Sequence, residues 1–183
     1  MKPKDMLIVG AFGSGKSSIT QELEKRIPQN ERIVTYDQAR WYMEQHNMNV
    51  NSMNEKEKNE MQLFTIASYI GAVKQATHAK VMAVLDSSLL EAHVYSRGVV
   101  NEHVIKMIEK HIREYTTSSI AYIIPPTIPL ENDGLRHTDE EYRVYVYEQI
   151  VQLIHKYNIP HHYILSDGPA RRAKEILTLH NNQ

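Results

Sequence analysis

Residues 10 to 17 read Gly10-Ala11-Phe12-Gly13-Ser14-Gly15-Lys16-Ser17, an unbroken G-x-x-x-x-G-K-S loop, and no other feature constrains the fold so strongly. Such a loop functions only where a buried strand delivers it and a helix leaves it. Both flanks fit. Met6-Leu7-Ile8-Val9 is a short apolar run suited to a buried strand, and Ser18 to Ile27 is an amphipathic helix with Ile19, Leu23 and Ile27 on one face. The glycines let backbone N–H groups wrap a phosphate, and the helix N-terminus adds partial positive charge. Lys16 is placed to reach β- and γ-phosphates, and the Ser17 hydroxyl to ligate Mg²⁺. A chance glycine-rich turn is the alternative, but the strand before and the helix after argue against it. The expected nucleotide contacts are Gly10, Ala11, Phe12, Gly13, Ser14, Gly15, Lys16, Ser17 and Ser18.

The 183 residues suit one α/β domain, 1–183, with a core that needs no staples. The absence of cysteine excludes disulfides, thiolate zinc sites and cysteine catalysis. A net charge of −1 supplies no global field for nucleic acid or an anionic membrane. The N-terminal residues run straight into the first strand, and no apolar stretch is long enough to span a bilayer. A cytoplasmic protein with no membrane partner is expected.

Strands and helices alternate along the chain. Ile33 to Tyr36 reads as a second strand, followed by a short helix from Gln38. The polar stretch from Gln45 to Lys58 reads as a mobile connection. A long helix spans Glu55 to Lys80, and Val81 to Leu85 is a continuous apolar run, the pattern of a strand buried on both faces. Helices fit Leu89 to Ser96 and Asn101 to Tyr115, and Ile120 to Ile124 is a fourth strand stopped by Pro125-Pro126. Thr138 to Tyr157 is a helix with a capping box, Thr138 at N-cap and Glu141 at N3. His162 to Leu165 is a fifth strand, and Pro169 to Leu179 a last helix. Five apolar strands separated by helices predict a parallel sheet covered on both faces, with ligands at the carboxyl ends of the strands.

Those strand ends carry the candidate chemistry. Asp37 follows the second strand and Asp86 the third. If both strands flank the first, one carboxylate suits the Mg²⁺ shell and the other a proton-accepting role toward a substrate hydroxyl. Asp37 is also placed to cap the helix that follows, and Asp86 to serve as an ordinary cap or turn residue. Arg40 is positioned either for substrate or for an i+4 pair with Glu44. Trp41 and Tyr42 suit stacking on a base or packing in the core. Arg97 sits at a helix end, where a cation is favourable with or without a substrate role.

The segment Pro126 to Arg143 carries the turn signal Asp133-Gly134, then Arg136 in the loop and Arg143 on the next helix. A cation-bearing loop before a cation-bearing helix fits a lid that closes over phosphates and neutralises charge developing in transfer. Solvation for Arg136 and an i−4 pair with Asp139 for Arg143 are the plain alternatives. Near the C-terminus Arg171 or Arg172 is placed to stack on adenine or simply to begin a basic helix. The ten histidines form no H-E-x-x-H and no i, i+4 pair, so no transition-metal site is expected.

Taken in order, GAFGSGKS, Asp37-Gln38-Ala39-Arg40, the apolar run ending in Asp86, and Asp133-Gly134-Leu135-Arg136 with Glu141-x-Arg143 resemble the small P-loop nucleoside and nucleotide kinases. The similarity is greatest to the AAA-type ATP-binding group that includes the ribosylnicotinamide kinase domain of the bacterial NAD-biosynthesis regulator, and it covers roughly residues 6 to 176. It implies a three-layer P-loop NTPase fold with the phosphate-loop strand central in five parallel strands and an Arg-bearing lid near 126–143. It also implies transfer of the ATP γ-phosphate to a small hydroxyl or phosphate acceptor. Asp37 departs from the pattern, since related members tend to carry Glu there.

The residues implied for that chemistry are Lys16, Asp37, Asp86, Arg136 and Arg143, with Arg171 at the nucleotide and Ser17 and Asp86 at Mg²⁺. A nucleotide-dependent switch or ATPase is the competing class. The chain lacks N-K-x-D or T-K-x-D for guanine, and the length for the helical lid domain of a motor. A kinase of nucleic-acid ends or modified bases is a third reading; near-neutral charge opposes duplex binding, while Arg171-Arg172-x-Lys174 keeps it open.

Overall fold

A computed structural model describes residues 2–130 and 139–182. Five strands form one parallel sheet: β1 (Asp5–Val9), β2 (Arg32–Thr35), β3 (Met82–Asp86), β4 (Ser119–Ile123) and β5 (His161–Tyr163). Their order is β2-β3-β1-β4-β5, so the strand that delivers the glycine loop is central. β1, β3 and β4 are buried at every position, which is why they read as continuous apolar runs. The two outer strands, β2 and β5, are only partly covered.

The helices are α1 (Lys16–Arg26), α2 (Gln38–His46), α3 (Glu55–Ala79), α4 (Leu89–Ser96), α5 (Glu102–Ser118), α6 (Glu140–Lys156) and α7 (Pro169–Asn181). Because side chains alternate across a strand, β1 feeds two cores. Leu7 and Val9 join the cluster built with α3, α4, α5 and α6, whereas Met6 and Ile8 face Ile19 and Leu23 of α1 and Ala173 and Ile176 of α7. Fully burying each such side chain stabilises the fold by about 1.5–3 kcal/mol. Asp5, fully buried at the start of β1, accepts from Ala83 N–H at 2.7 Å and pairs with Lys2 at 2.8 Å, pinning β1 against β3.

The structure refines several expected boundaries. The connection between α2 and α3 is residues 47–54, shorter than the Gln45 to Lys58 stretch. It is also anchored: Met53 is buried with Met43 and Met61, and Met48 and Val50 pack against them. Polar composition hid these apolar anchors. α5 runs three residues beyond Tyr115, and α6 takes Asp139, not Thr138, as N-cap, with the carboxylate accepting from Tyr142 N–H at 3.1 Å. Asp and Thr are both good caps, so the pattern alone could not choose between neighbours. Thr138 and the Asp133-Gly134-Leu135-Arg136 run lie outside the described residues.

Candidate active site

The loop leaves β1 at Gly10, where a Cβ would lie 2.5 Å from the Ile124 carbonyl oxygen, so no side chain fits there. Gly13 has φ +69° and a Cβ on it would lie 2.8 Å from Leu130 Cδ2. Backbone conformation and close approach therefore both demand glycine.

Every carbonyl from Gly10 to Ser14 is held by a cationic side chain. Lys16 Nζ donates to Gly10 O at 2.8 Å and Ala11 O at 2.9 Å. Arg143 of α6 donates from Nε to Phe12 O and from Nη2 to Gly13 O, each at 3.1 Å. Arg172 of α7 donates from Nη1 to Ser14 O at 3.3 Å. Both arginines are buried. With the carbonyls so occupied, no N–H from Ala11 to Gly15 is committed to a protein acceptor among the described residues. Free amides, the N-terminus of α1 and Lys16 together make an anion site.

At the start of the loop the Gly10 N–H donates to Glu91 Oε1 at 3.0 Å. The other oxygen of Glu91 accepts from Ser88 N–H and Ser88 Oγ, both at 2.9 Å, completing a capping box on α4. Burial pushes the Glu91 carboxyl above its ordinary value, while the nearby Lys16 charge and these donors oppose the rise. The Tyr69 hydroxyl, fully buried and held well above its ordinary range by burial and by Asp37, Asp86 and Glu91, donates to Asp86 O at 3.1 Å.

A cavity of about 370 Å³ lies over the loop, lined by Phe12 to Ser18, Asp37, Arg40, Asp86 and residues Ile128, Pro129 and Leu130. Thus Lys16, Ser17, Asp37 and Asp86 line one space, although only β3 flanks β1: β2 lies one strand further out, and Asp37 reaches the cavity from the start of α2. Asp86 is fully buried at the end of β3, level with Ile8 of β1. Asp37 caps α2 by accepting from Arg40 N–H at 3.0 Å and still lines the cavity. The hydroxyl of Ser17 and the carboxylates are hard oxygen donors that match Mg²⁺, which takes few protein ligands and fills its shell with phosphate and water. No cluster of three or more His, Asp or Glu side chains that could hold a metal occurs among the described residues.

A second cavity of about 280 Å³ shares Phe12, Lys16, Asp37 and Arg40 with the first. Its walls include the apolar Met43, Val50, Met61 and Val94 and the polar Gln62, Thr65 and Tyr95.

The other expected residues divide between this region and other contacts. Arg171 is exposed at the first turn of α7, and the loop contact belongs to its neighbour Arg172. The side chain of Arg143 pairs with Glu140 at 3.2 Å, not with Asp139, whose backbone carbonyl accepts from the Arg143 N–H at 3.1 Å. Arg40 forms the Glu44 pair, at 2.9 Å, while lining both cavities, and Arg97, in the wall of the second, donates to Gln149 at 2.8 Å. Trp41 is half exposed and stacks on Phe64 with ring centroids 5.3 Å apart, so it is not a core residue. Arg136 lies outside the described residues. Glu91 was missed, although Ser88-x-x-Glu91 is a capping-box pattern that could have drawn attention to it.

A family model described as an AAA domain matches residues 5–172, and the chain belongs to that family. Among solved structures it is similar to a NadR protein in complex with NR, at 17% identity and a TM-score of 0.69 over 99% of this chain and 52% of that one. It is also similar to deoxyadenosine kinase from M. mycoides with bound products, at 16% identity and a TM-score of 0.60 over 97% and 98% of the two chains. Thymidylate kinase from Ehrlichia chaffeensis matches at 14% identity and a TM-score of 0.63 over 98% and 99%. These likenesses establish the fold, a P-loop α/β sheet of five parallel strands. The chain spans about half the length of the NadR chain. No curated protein matches it in sequence. No described helix is long and apolar enough to cross a membrane.

Proposed function

We propose that this protein is a P-loop kinase that transfers the γ-phosphoryl group of Mg-ATP to a small nucleoside, nucleotide or related metabolite. One observation carries the reading: the phosphate-loop cavity and a second metabolite-sized cavity share Lys16, Asp37 and Arg40 at their boundary. A nucleotide on one side and an acceptor on the other would meet there. The solved structures of similar fold include kinases crystallised with nucleoside or nucleotide ligands, which supports the same class of acceptor.

The loop amides and Lys16 bind and orient the β- and γ-phosphates. Ser17 and Asp86 are the residues that would hold Mg²⁺, whose charge, when bound, neutralises the phosphate oxygens. Asp37, at the boundary of the two cavities, accepts the proton of the acceptor hydroxyl as its oxygen bonds to the γ-phosphorus. The bond from that phosphorus to the bridging oxygen breaks, and ADP leaves with the electron pair. Arg40, which lines both cavities, is placed to counter negative charge spreading over the transferred group, while Arg143 acts through the loop carbonyls it holds. Met43, Met61 and Val94 give the second cavity an apolar wall, which would favour an acceptor over water and so transfer over hydrolysis.

Incubation with labelled ATP and panels of nucleosides, nucleotides and oligonucleotides tests the reading. Label should pass to a nucleoside or nucleotide, and Lys16→Ala should abolish the transfer. Hydrolysis of ATP with no acceptor labelled would favour a nucleotide-dependent ATPase instead.

A further inference from the structure

Glu91 stands outside the chemistry described so far, yet its carboxylate joins two parts of the site that are distant in sequence. Oε1 takes the first amide of the phosphate loop, Gly10 N–H, at 3.0 Å. Oε2 takes the amide and hydroxyl of Ser88, at 2.9 Å each, two residues beyond Asp86. The intervening Ser87 adopts φ +68°, a conformation rare for a residue with a side chain, and its N–H donates to Ile8 O at 3.0 Å. The turn after β3 is thus bound to the end of β1 at two levels. On its other side Gly10 abuts the Ile124 carbonyl, so the start of the loop is gripped between β4 and Glu91.

A capping box needs only the Ser88 half of this arrangement and is normally met at a solvated helix end. Here the carboxylate is 3% exposed, and its burial is costly unless most of its acceptor sites are used. Three donors and the neighbouring Lys16 charge meet that requirement. The shape is also specific: an amide side chain of the same size has one acceptor oxygen, so its NH₂ must face either Gly10 N–H or Ser88 N–H.

We infer that Glu91 is a positioning residue of the phosphate site, holding the first amide of the loop at a fixed separation from the turn that carries Asp86. This rests on the nucleotide reading above. Glu91 acts through Gly10 and Ser88, not by touching phosphate or metal.

The test compares Glu91→Gln with Ile112→Val, a change in the core of α5 away from the loop, using melting temperature and Mg-ATP affinity by calorimetry without acceptor. Both variants should melt below the parent. Glu91→Gln should also weaken Mg-ATP roughly tenfold or more, because donor meets donor at the loop, while Ile112→Val keeps parental affinity. A folded Glu91→Gln protein with affinity within about twofold of the parent overturns the inference and makes Glu91 an ordinary structural residue. Should Glu91→Gln fail to fold, Ser88→Ala removes one of the three donors and leaves the carboxylate; it should weaken Mg-ATP measurably, and parental affinity there overturns the inference equally. A parent protein that binds no Mg-ATP overturns the nucleotide reading and this inference with it, whereas parental affinity in the variants overturns the inference alone.

Discussion

Arg143 and Arg172 hold neighbouring carbonyls of one loop from two different helices, Arg143 at Phe12 and Gly13 and Arg172 at Ser14. Arg172 also donates from Nε to Ser166 O at 2.7 Å and from Nη2 to Thr127 Oγ1 at 3.2 Å, tying the α7 end to the segment after β4. A planar fork with several fixed donors can satisfy two or three acceptors at once, which a lysine ammonium on a flexible stem cannot match in geometry. The two guanidiniums thereby set the curvature of the phosphate site from behind.

Arg143→Ala and Arg172→Ala should each destabilise the fold by about 1–3 kcal/mol, since buried carbonyls lose their donors. Each should also weaken Mg-ATP, with Arg143→Lys recovering only part of the loss. Thermal denaturation and calorimetry on the same preparations check both effects. Unchanged nucleotide affinity would mean that the loop keeps its shape without them.

Asp86→Asn should chiefly weaken the response to Mg²⁺, because a neutral amide is a poorer ligand for a hard cation. Asp37→Asn should chiefly lower kcat, by about 10²- to 10⁴-fold if it removes the positioned base. The α2 cap should survive, since an asparagine oxygen can still accept from Arg40 N–H. Titration of activity against Mg²⁺ for both variants separates the two roles. Parental behaviour of both would move the chemistry elsewhere.

Arg136→Ala should lower kcat far more than ATP affinity, as expected of a lid cation needed mainly where charge redistributes in the transition state. From the sequence Arg143→Ala would be the milder change; its three contacts with Phe12, Gly13 and Glu140 reverse that order for nucleotide binding. Steady-state kinetics with varied ATP check this. An Arg136→Ala enzyme with parental kcat would make the segment an ordinary surface loop.

Acid should destabilise the protein through His93. Burial, followed by the Arg97 charge, lowers its pKa below the ordinary 6.5, against the opposing pull of Glu109. Below 6.5 the unfolded chain therefore takes up the proton more readily than the folded one. The His93 contribution is fully present above pH 6.5 and is lost as pH falls from there through the lowered folded value. Melting temperatures measured between about pH 7.5 and about pH 5.5 should fall, and His93→Leu should flatten the decline. An equal slope in the variant would assign the acid response to other groups.

Much of this was legible in the chain. Continuous apolar runs identified β1, β3 and β4, because central parallel strands bury both faces. The G-x-x-x-x-G-K-S string placed Lys16 and Ser17 because that relationship is local: a strand, the loop that follows it, and the helix after that. Asp37 as an α2 cap and the Arg40–Glu44 pair were legible for the same reason. Strand ends offered Asp37 and Asp86, but the order β2-β3-β1, which brings both to the loop, is tertiary.

What the sequence could not determine was which distant cation turns inward. Arg171 and Arg172 are neighbours of identical chemistry, and only the docking of α7 beside α1 leaves the first exposed and brings the second to Ser14. Arg143 and Glu91 are likewise far in sequence from the carbonyls and amide they hold: the lid pattern and the Ser88-x-x-Glu91 box single them out, but not the contacts with Phe12, Gly13 and Gly10. Sequence periodicity specified the elements and the phosphate loop because backbone geometry repeats over a few residues. The tertiary structure alone chose the groups that brace the loop, because a buried charge is tolerated only where packing brings complementary atoms to it.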